Sequence, residues 1–171
     1  EAMLKRDPNL VFWLVGCYPG NEKFNVGVLE EAGKYCDYLS IHNYWGGPYE
    51  KVMASNLDME AWFLKLDRQI KELVPERKIW LAFDEWNPGG IDFTSGLASA
   101  ALLNSMERHG NIVGMSAPAL WLRHFTLSKN WNNALIQFDQ TRQFVSPTYL
   151  AMRMFSERFA PERLTTEVVC S

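Results

Sequence analysis

Cysteine is scarce in this chain of 171 residues. Cys17, Cys36 and Cys170 have no CxxC spacing and no Cys/His pattern. A zinc site is therefore not expected, and three cysteines at wide spacing argue against a disulfide framework. That usage favours a reducing compartment such as the cytoplasm and otherwise leaves localisation open. Long apolar runs are missing too. The longest, Leu10 to Cys17, has the length of a strand and falls well short of the roughly 18 residues of a membrane span, so no membrane partner is expected. Charge of one sign is not in excess: 17 basic and 20 acidic residues are interspersed, for a net charge of -3. With no basic stripe, nucleic acid is not an expected partner. The glycine-rich phosphate signature of a dinucleotide fold is absent, and neither a metal nor an organic cofactor is implied. No repeat or low-complexity segment interrupts the chain, and its length fits one domain with a sizeable core.

What the chain does have is aromatic residues and one unusual run. Seven Trp, six Tyr and ten Phe are enough to fill a core and still leave rings free for stacking. The run is Lys78-Ile79-Trp80-Leu81-Ala82-Phe83-Asp84-Glu85-Trp86-Asn87. It starts as an apolar strand and ends in two carboxylates, a Trp and an Asn, before Pro88-Gly89-Gly90 breaks it. A buried strand that delivers an acid to its C-terminal tip is how a β/α barrel places a catalytic group in its mouth. Trp86 offers an apolar face suited to a sugar ring, and Asn87 both a donor and an acceptor. A plain strand end with solvated acids is the competing reading.

The rest of the chain alternates. Apolar segments near 10–18, 37–44, 79–84 and 112–121 read as strands buried on both faces. Helical spacing predicts helices over 26–34, 59–73 and 94–108, the last rich in small residues suited to close packing. A hairpin is expected around Asp139-Gln140-Thr141, and Pro147 suits the first position of a final helix running to about Phe159. Strand and helix in alternation imply an α/β fold, a parallel sheet with right-handed crossovers. Three strand ends carry groups able to do chemistry: His42-Asn43-Tyr44, Asp84-Glu85, and Trp121-Arg123-His124. Glu1 to Arg6 reads as the last turns of a helix stopped by Asp7-Pro8, as expected of a piece of a longer protein.

Phe83-Asp84-Glu85-Trp86-Asn87 resembles the nucleophile strand of glycoside hydrolase family 51, the α-L-arabinofuranosidases, within a large clan of (β/α)8 retaining glycosidases. Asp37-Tyr38-Leu39-Ser40-Ile41-His42-Asn43-Tyr44-Trp45-Gly46 is similar to that family's preceding strand. Ser146-Pro147-Thr148-Tyr149 and the helix through Phe155-Ser156 resemble its last barrel helix. The resemblance covers roughly residues 1–160. It implies that Glu85 is the nucleophile, that His42 and Tyr44 line the sugar subsite with Tyr44 hydrogen-bonded to Glu85, and that Trp86 and Asn87 shape the rim. The loop after Trp121 departs from the family pattern. Retention requires two carboxyls about 5–5.5 Å apart, one attacking and one acting as acid. A neighbouring hydroxyl stabilises the charged, aimed form of such a nucleophile. Asp84 is expected to support the strand rather than to react.

The acid partner is the open question. Gly20-Asn21-Glu22 is tempting, since Asn-Glu at a strand end is the clan's acid/base signature. In the clan, however, the acid/base closes strand four and the nucleophile strand seven, and only one strand lies between Glu22 and Glu85. The resemblance therefore makes these units strands five to eight, the second half of a TIM (β/α)8 barrel, with the acid/base upstream of Glu1 and the family's C-terminal β-sandwich also outside the chain. Glu22 is expected to start a helix, where a carboxylate meets the positive end of the dipole. A half barrel has open strand edges and needs a cover, from the remaining half or from another copy. Two rival readings remain: a clan member acting on a β-glycoside, and a non-catalytic carbohydrate-binding half-barrel.

Overall fold

Four apolar segments pair into one all-parallel sheet in the order β1 (Trp13–Val15), β2 (Tyr38–Tyr44), β3 (Trp80–Asn87) and β4 (Val113–Pro118). The computed structural model describes residues 2–162 and 164, so Cys170 lies outside the described residues. Helices alternate with the strands as expected: α1 (Ala2–Arg6), α2 (Glu22–Ala32), α3 (Tyr49–Leu73), α4 (Phe93–Arg108) and α5 (Pro147–Glu157). A second small sheet follows β4. In it β5 (Leu122–His124) pairs parallel with β6 (Ile136–Phe138), which forms the expected hairpin with β7 (Gln143–Val145). Among the described residues no helix is long and apolar enough to cross a membrane.

The core lies between the parallel sheet and the helices. Leu39 and Ile41 of β2 and Leu81 and Phe83 of β3 are fully buried there with Phe63 and Leu66 of α3 and Leu102 of α4. Phe63 and Trp62 meet the Phe83 ring edge to face. Such pairs favour this geometry because the positive edge of one ring meets the negative face of the other. On α3 the buried positions Val52, Ser55, Met59, Trp62, Phe63, Leu66 and Ile70 form one continuous stripe. The helix is therefore ten residues longer at its start than apolar spacing from Met59 predicts. Its first turns bury little more than Val52 and a serine that bonds back to the Val52 carbonyl at 2.6 Å.

The helix ends follow local rules. Asp92 caps α4 by accepting from the Ser95 N–H at 2.9 Å, and Ser146 caps α5 by accepting from Tyr149 at 3.2 Å, with Pro147 in the first turn. The small residues of α4 do permit close packing on α5. A Cβ on Gly96 would lie 2.5 Å from Pro147 Cβ. Glu22 opens α2 as expected, and Lys65 of α3 holds its carboxylate at 2.9 Å. That hydrogen bond, more than any other cause, lowers the Glu22 pKa.

β1 is three residues long where its sequence predicts nine. As an edge strand it pairs only with β2, and the chain turns away at Gly16 and Cys17, whose N–H is taken by Asn25 Oδ1 at 2.8 Å. Gly16 passes so close to β2 that a Cβ there would stand 2.2 Å from the Ser40 carbonyl oxygen. Gly16→Val should therefore prise β1 from β2 and lower stability by about 2 kcal/mol or more, read as a fall in melting temperature.

Between α3 and α4 lies a polar staple. Glu60 accepts from Arg108 at 2.6 Å and from Ser105 at 3.1 Å, and meets His109 Nε2 at 2.7 Å. Arg108 first, then His109 and Ser105, pull the Glu60 pKa from 4.5 down to about 2 against the opposing effect of burial. A carboxylate lowered on folding stabilises above its unfolded value and loses that contribution as pH falls through its folded one. Glu60→Gln should thus lower the melting temperature near neutral pH, and the gap to the parent should close between pH 4.5 and about 2.

Candidate active site

Alternation along β2 puts Leu39 and Ile41 into the core and turns Ser40, His42 and Tyr44 to the other face. In the β2–β3 register Ser40 pairs with Ala82, but His42 pairs with Glu85. Two residues on β2 thus span three on β3, a bulge that re-aims the side chains beyond it. Glu85 lands opposite His42 at the C-terminal end of the sheet, and Tyr44 comes up beside it.

Both oxygens of Glu85 are engaged. The Tyr44 hydroxyl donates to Oε1 in a short hydrogen bond, and His42 Nδ1 lies 3.1 Å from Oε2. The other imidazole nitrogen, Nε2, is 3.4 Å from Asp84 Oδ1 and 3.2 Å from Ser40 Oγ. Ser40 in turn donates to Asp84 at 2.9 Å. The result is one chain of contacts, from Tyr44 through Glu85, His42 and Asp84 to Ser40. Glu85 keeps 41% of its side-chain surface open. It is held from two sides, and its remaining face points to solvent. Partial burial, then the hydrogen bond and charge of Glu85, push the Tyr44 phenol well above its ordinary pKa. It therefore stays a donor.

The sequence expectation for Glu85, His42 and Tyr44 is met in position: all three meet at one end of the sheet. Trp86 and Asn87 require correction as substrate contacts. Trp86 is 0% exposed, because the bulge turns it into the core against Phe83 and Trp45, and its indole N–H donates to Ser116 Oγ at 2.9 Å. It presents no face to a sugar. Asn87 is 1% exposed and spends its amide on backbone. Its nitrogen donates to the carbonyls of Ala119 at 2.5 Å and Asn133 at 3.1 Å, and its oxygen accepts from Gly89 N–H at 2.8 Å. Asn87 thus ties three loops together without lining the rim.

Of the third set of strand-end residues, Arg123 and His124 lie on β5 and Trp121 just ahead of it. His124 packs on Phe138, and Arg123 holds the loop that follows it. Ser40 went unassigned by sequence reasoning, although its period-two relation to His42 and Tyr44 marked it. Among the described residues no group of three or more His, Cys, Asp or Glu side chains is placed to hold a metal ion.

Parallel β/α units with a carboxylate at a strand tip define a partial (β/α)8 barrel, half of the full ring of strands. The comparisons place that partial barrel more narrowly. No family model matches the chain. A protein of Halalkalibacterium halodurans named "Intracellular exo-alpha-(1->5)-L-arabinofuranosidase" is 31% identical over 101 residues, covering 51% of this chain and 20% of that protein. A protein of the same name from Streptomyces lividans is 29% identical over 113 residues, covering 58% and 17%. The α-L-arabinofuranosidase of Thermotoga maritima superposes with a TM-score of 0.78 at 21% identity, over 90% of this chain and 32% of that one. The family 51 enzyme of Thermotoga petrophila gives 0.77 at 21% identity, over 88% and 32%. The chain therefore resembles part of a family 51 α-L-arabinofuranosidase in both sequence and fold. It spans about a fifth of the length of the curated relatives and about a third of each solved chain.

The raised phenol is open to direct measurement. In an alkaline absorbance titration Tyr44→Phe and the parent should coincide through the ordinary tyrosine range near pH 10, because Tyr44 is not ionised there. Glu85→Gln should draw a further phenolate step down towards that range. Loss of an ordinary step in Tyr44→Phe would contradict the geometry.

Proposed function

We propose that this chain is the nucleophile-bearing part of a retaining glycoside hydrolase, an α-L-arabinofuranosidase that releases arabinose from arabinan- or arabinoxylan-type substrates. The observation that carries the reading is the carboxylate of Glu85, held at a parallel strand tip by Tyr44 and His42 with one face open. The relatives' names and the likeness to family 51 folds support it.

In this mechanism Glu85 attacks the anomeric carbon, and the bond from that carbon to the leaving oxygen breaks. A carboxylic acid protonates the leaving oxygen. The glycosyl–Glu85 ester then yields to water, activated by the same group acting as base. Tyr44 and His42 keep the two carboxylate oxygens aimed. Asp84, engaged by Ser40 and His42, fixes the imidazole rather than reacting.

The acid/base belongs to a strand upstream of residues 1–171. The N-terminal half of the barrel and a C-terminal β-sandwich complete the protein, so these residues alone are catalytically incomplete. Glu22 does not serve as the acid, because its carboxylate is occupied by Lys65 in the helical layer. The intracellular naming of the relatives supports a cytoplasmic location. A family 39 β-xylosidase from Caulobacter crescentus, with a TM-score of 0.57 at 15% identity, keeps a β-glycoside as the second reading.

In the intact protein, Glu85→Gln should cut kcat on an aryl α-L-arabinofuranoside by at least about 10³-fold with an unchanged melting temperature. Glu22→Gln should leave the rate unchanged. A near-normal rate in folded Glu85→Gln would remove Glu85 as nucleophile, and turnover of an aryl β-xyloside alone would favour the second reading.

A further inference from the structure

Next to the Tyr44–Glu85 pair stands a residue with no assigned role, Trp131, in the loop between β5 and β6. The Trp131 and Tyr44 rings meet edge to face, with centroids 5.4 Å apart at 65°. Just over half of its surface, 53%, remains open to solvent. Its φ is 58°, in the left-handed region, where a bulky residue is a rarity and glycine or asparagine the usual occupant.

That backbone is held in place by a polar clamp. The Arg123 guanidinium donates to the Ser128 carbonyl at 2.7 Å, the Asn130 carbonyl at 3.3 Å and Gln137 Oε1 at 2.8 Å. Gln137 is 1% exposed and donates its amide nitrogen to the Asn132 carbonyl at 2.8 Å. The carbonyls on both sides of Trp131 are thus fixed by one connected network anchored on the buried Gln137. Strain that persists because its surroundings over-determine it clusters at ligand-binding sites. Among the described residues, core packing does not account for this indole, which is half in water.

Tyr44 touches both Glu85 and Trp131, so the indole borders the residue that aims the carboxylate. An indole with just over half of its surface open can offer a face to the C–H side of a sugar, as aromatic platforms with one wet side do. Resting on the glycosidase reading above, we propose that Trp131 is a specificity residue, whose exposed face stacks the sugar on the leaving side of the bond that Glu85 attacks.

The test compares two substrates in the intact protein. One is an α-1,5-linked arabino-oligosaccharide. The other is arabinofuranosyl fluoride, which has no second ring. Trp131→Ala should lower kcat/KM on the oligosaccharide about tenfold, mainly through KM, and leave the fluoride nearly unchanged. Trp131→Phe keeps a ring on Tyr44 with a smaller face. It should show the same split at a smaller size, and it carries the test if the alanine variant does not fold. Equal losses on both substrates would make Trp131 a support for Tyr44 and overturn the proposal, as would no loss on either. No turnover of either substrate by the unaltered protein would overturn the glycosidase reading itself.

Discussion

Between Ser40 and His42 the chain of β2 advances two residues while β3 advances three, from Ala82 to Glu85. Without that bulge His42 would pair with Asp84, and Glu85 would point to the opposite side of the sheet, because side chains in a strand alternate faces. With it, one imidazole lies between two carboxylates, Asp84 at 3.4 Å and Glu85 at 3.1 Å. The same irregularity sends Trp86 inward, where it stacks on Trp45 and lies tilted against Phe83. The outward turn of the acid and the inward turn of the indole are two results of one backbone adjustment.

The adjustment holds because each end of the sheet is fastened separately. At the N-terminal end Asp37 accepts from the Phe12 N–H of the segment leading into β1 and from Arg77 just ahead of β3, both within 2.9 Å. At the C-terminal end Asn87 binds the Ala119 and Asn133 carbonyls and the Gly89 N–H. Asn87 is buried with its amide fully engaged, and such a group sets geometry more sharply than apolar contact does. Glu85 therefore stands on a strand fixed above and below it, and its aim depends little on flexible loops.

The four strands of the main sheet and the helices between them were legible in sequence because apolar runs of strand length and helical spacing recur in alternation. Their limits were less so, since hydrophobic pattern does not report pairing. β1 is short because it has only one neighbour, and β3 runs on through Asn87 because Trp86 continues the core. β5 was unreadable: three residues, Leu122 to His124, are too few to show a period. Their strand-tip places already put Glu85, His42 and Tyr44 at one end of the sheet, where the structure brings them together. Trp86 and Asn87 were misjudged for a physical reason. A Trp and an Asn beside an acid look the same in sequence whether they face solvent or core, and the bulge that decides between them leaves no mark in composition. Trp131 went unread because the Asn-rich stretch around it shows no periodicity, although Asn on either side of a Trp is a turn signal.

The burial of Trp86 and Asn87 changes what the Phe-Asp-Glu-Trp-Asn run can certify. Phe83, Trp86 and Asn87 answer to packing and to loop anchoring, demands that persist whether or not any sugar is cleaved. A relative with no chemistry at all would keep those three letters for as long as it kept its barrel. Glu85, with 41% of its side chain open and needless for the core, would be free to drift wherever hydrolysis is not selected. When such sequences are sorted into working enzymes and inert relatives, that single letter, together with Tyr44 one strand away, carries the information, and the run around it testifies to architecture.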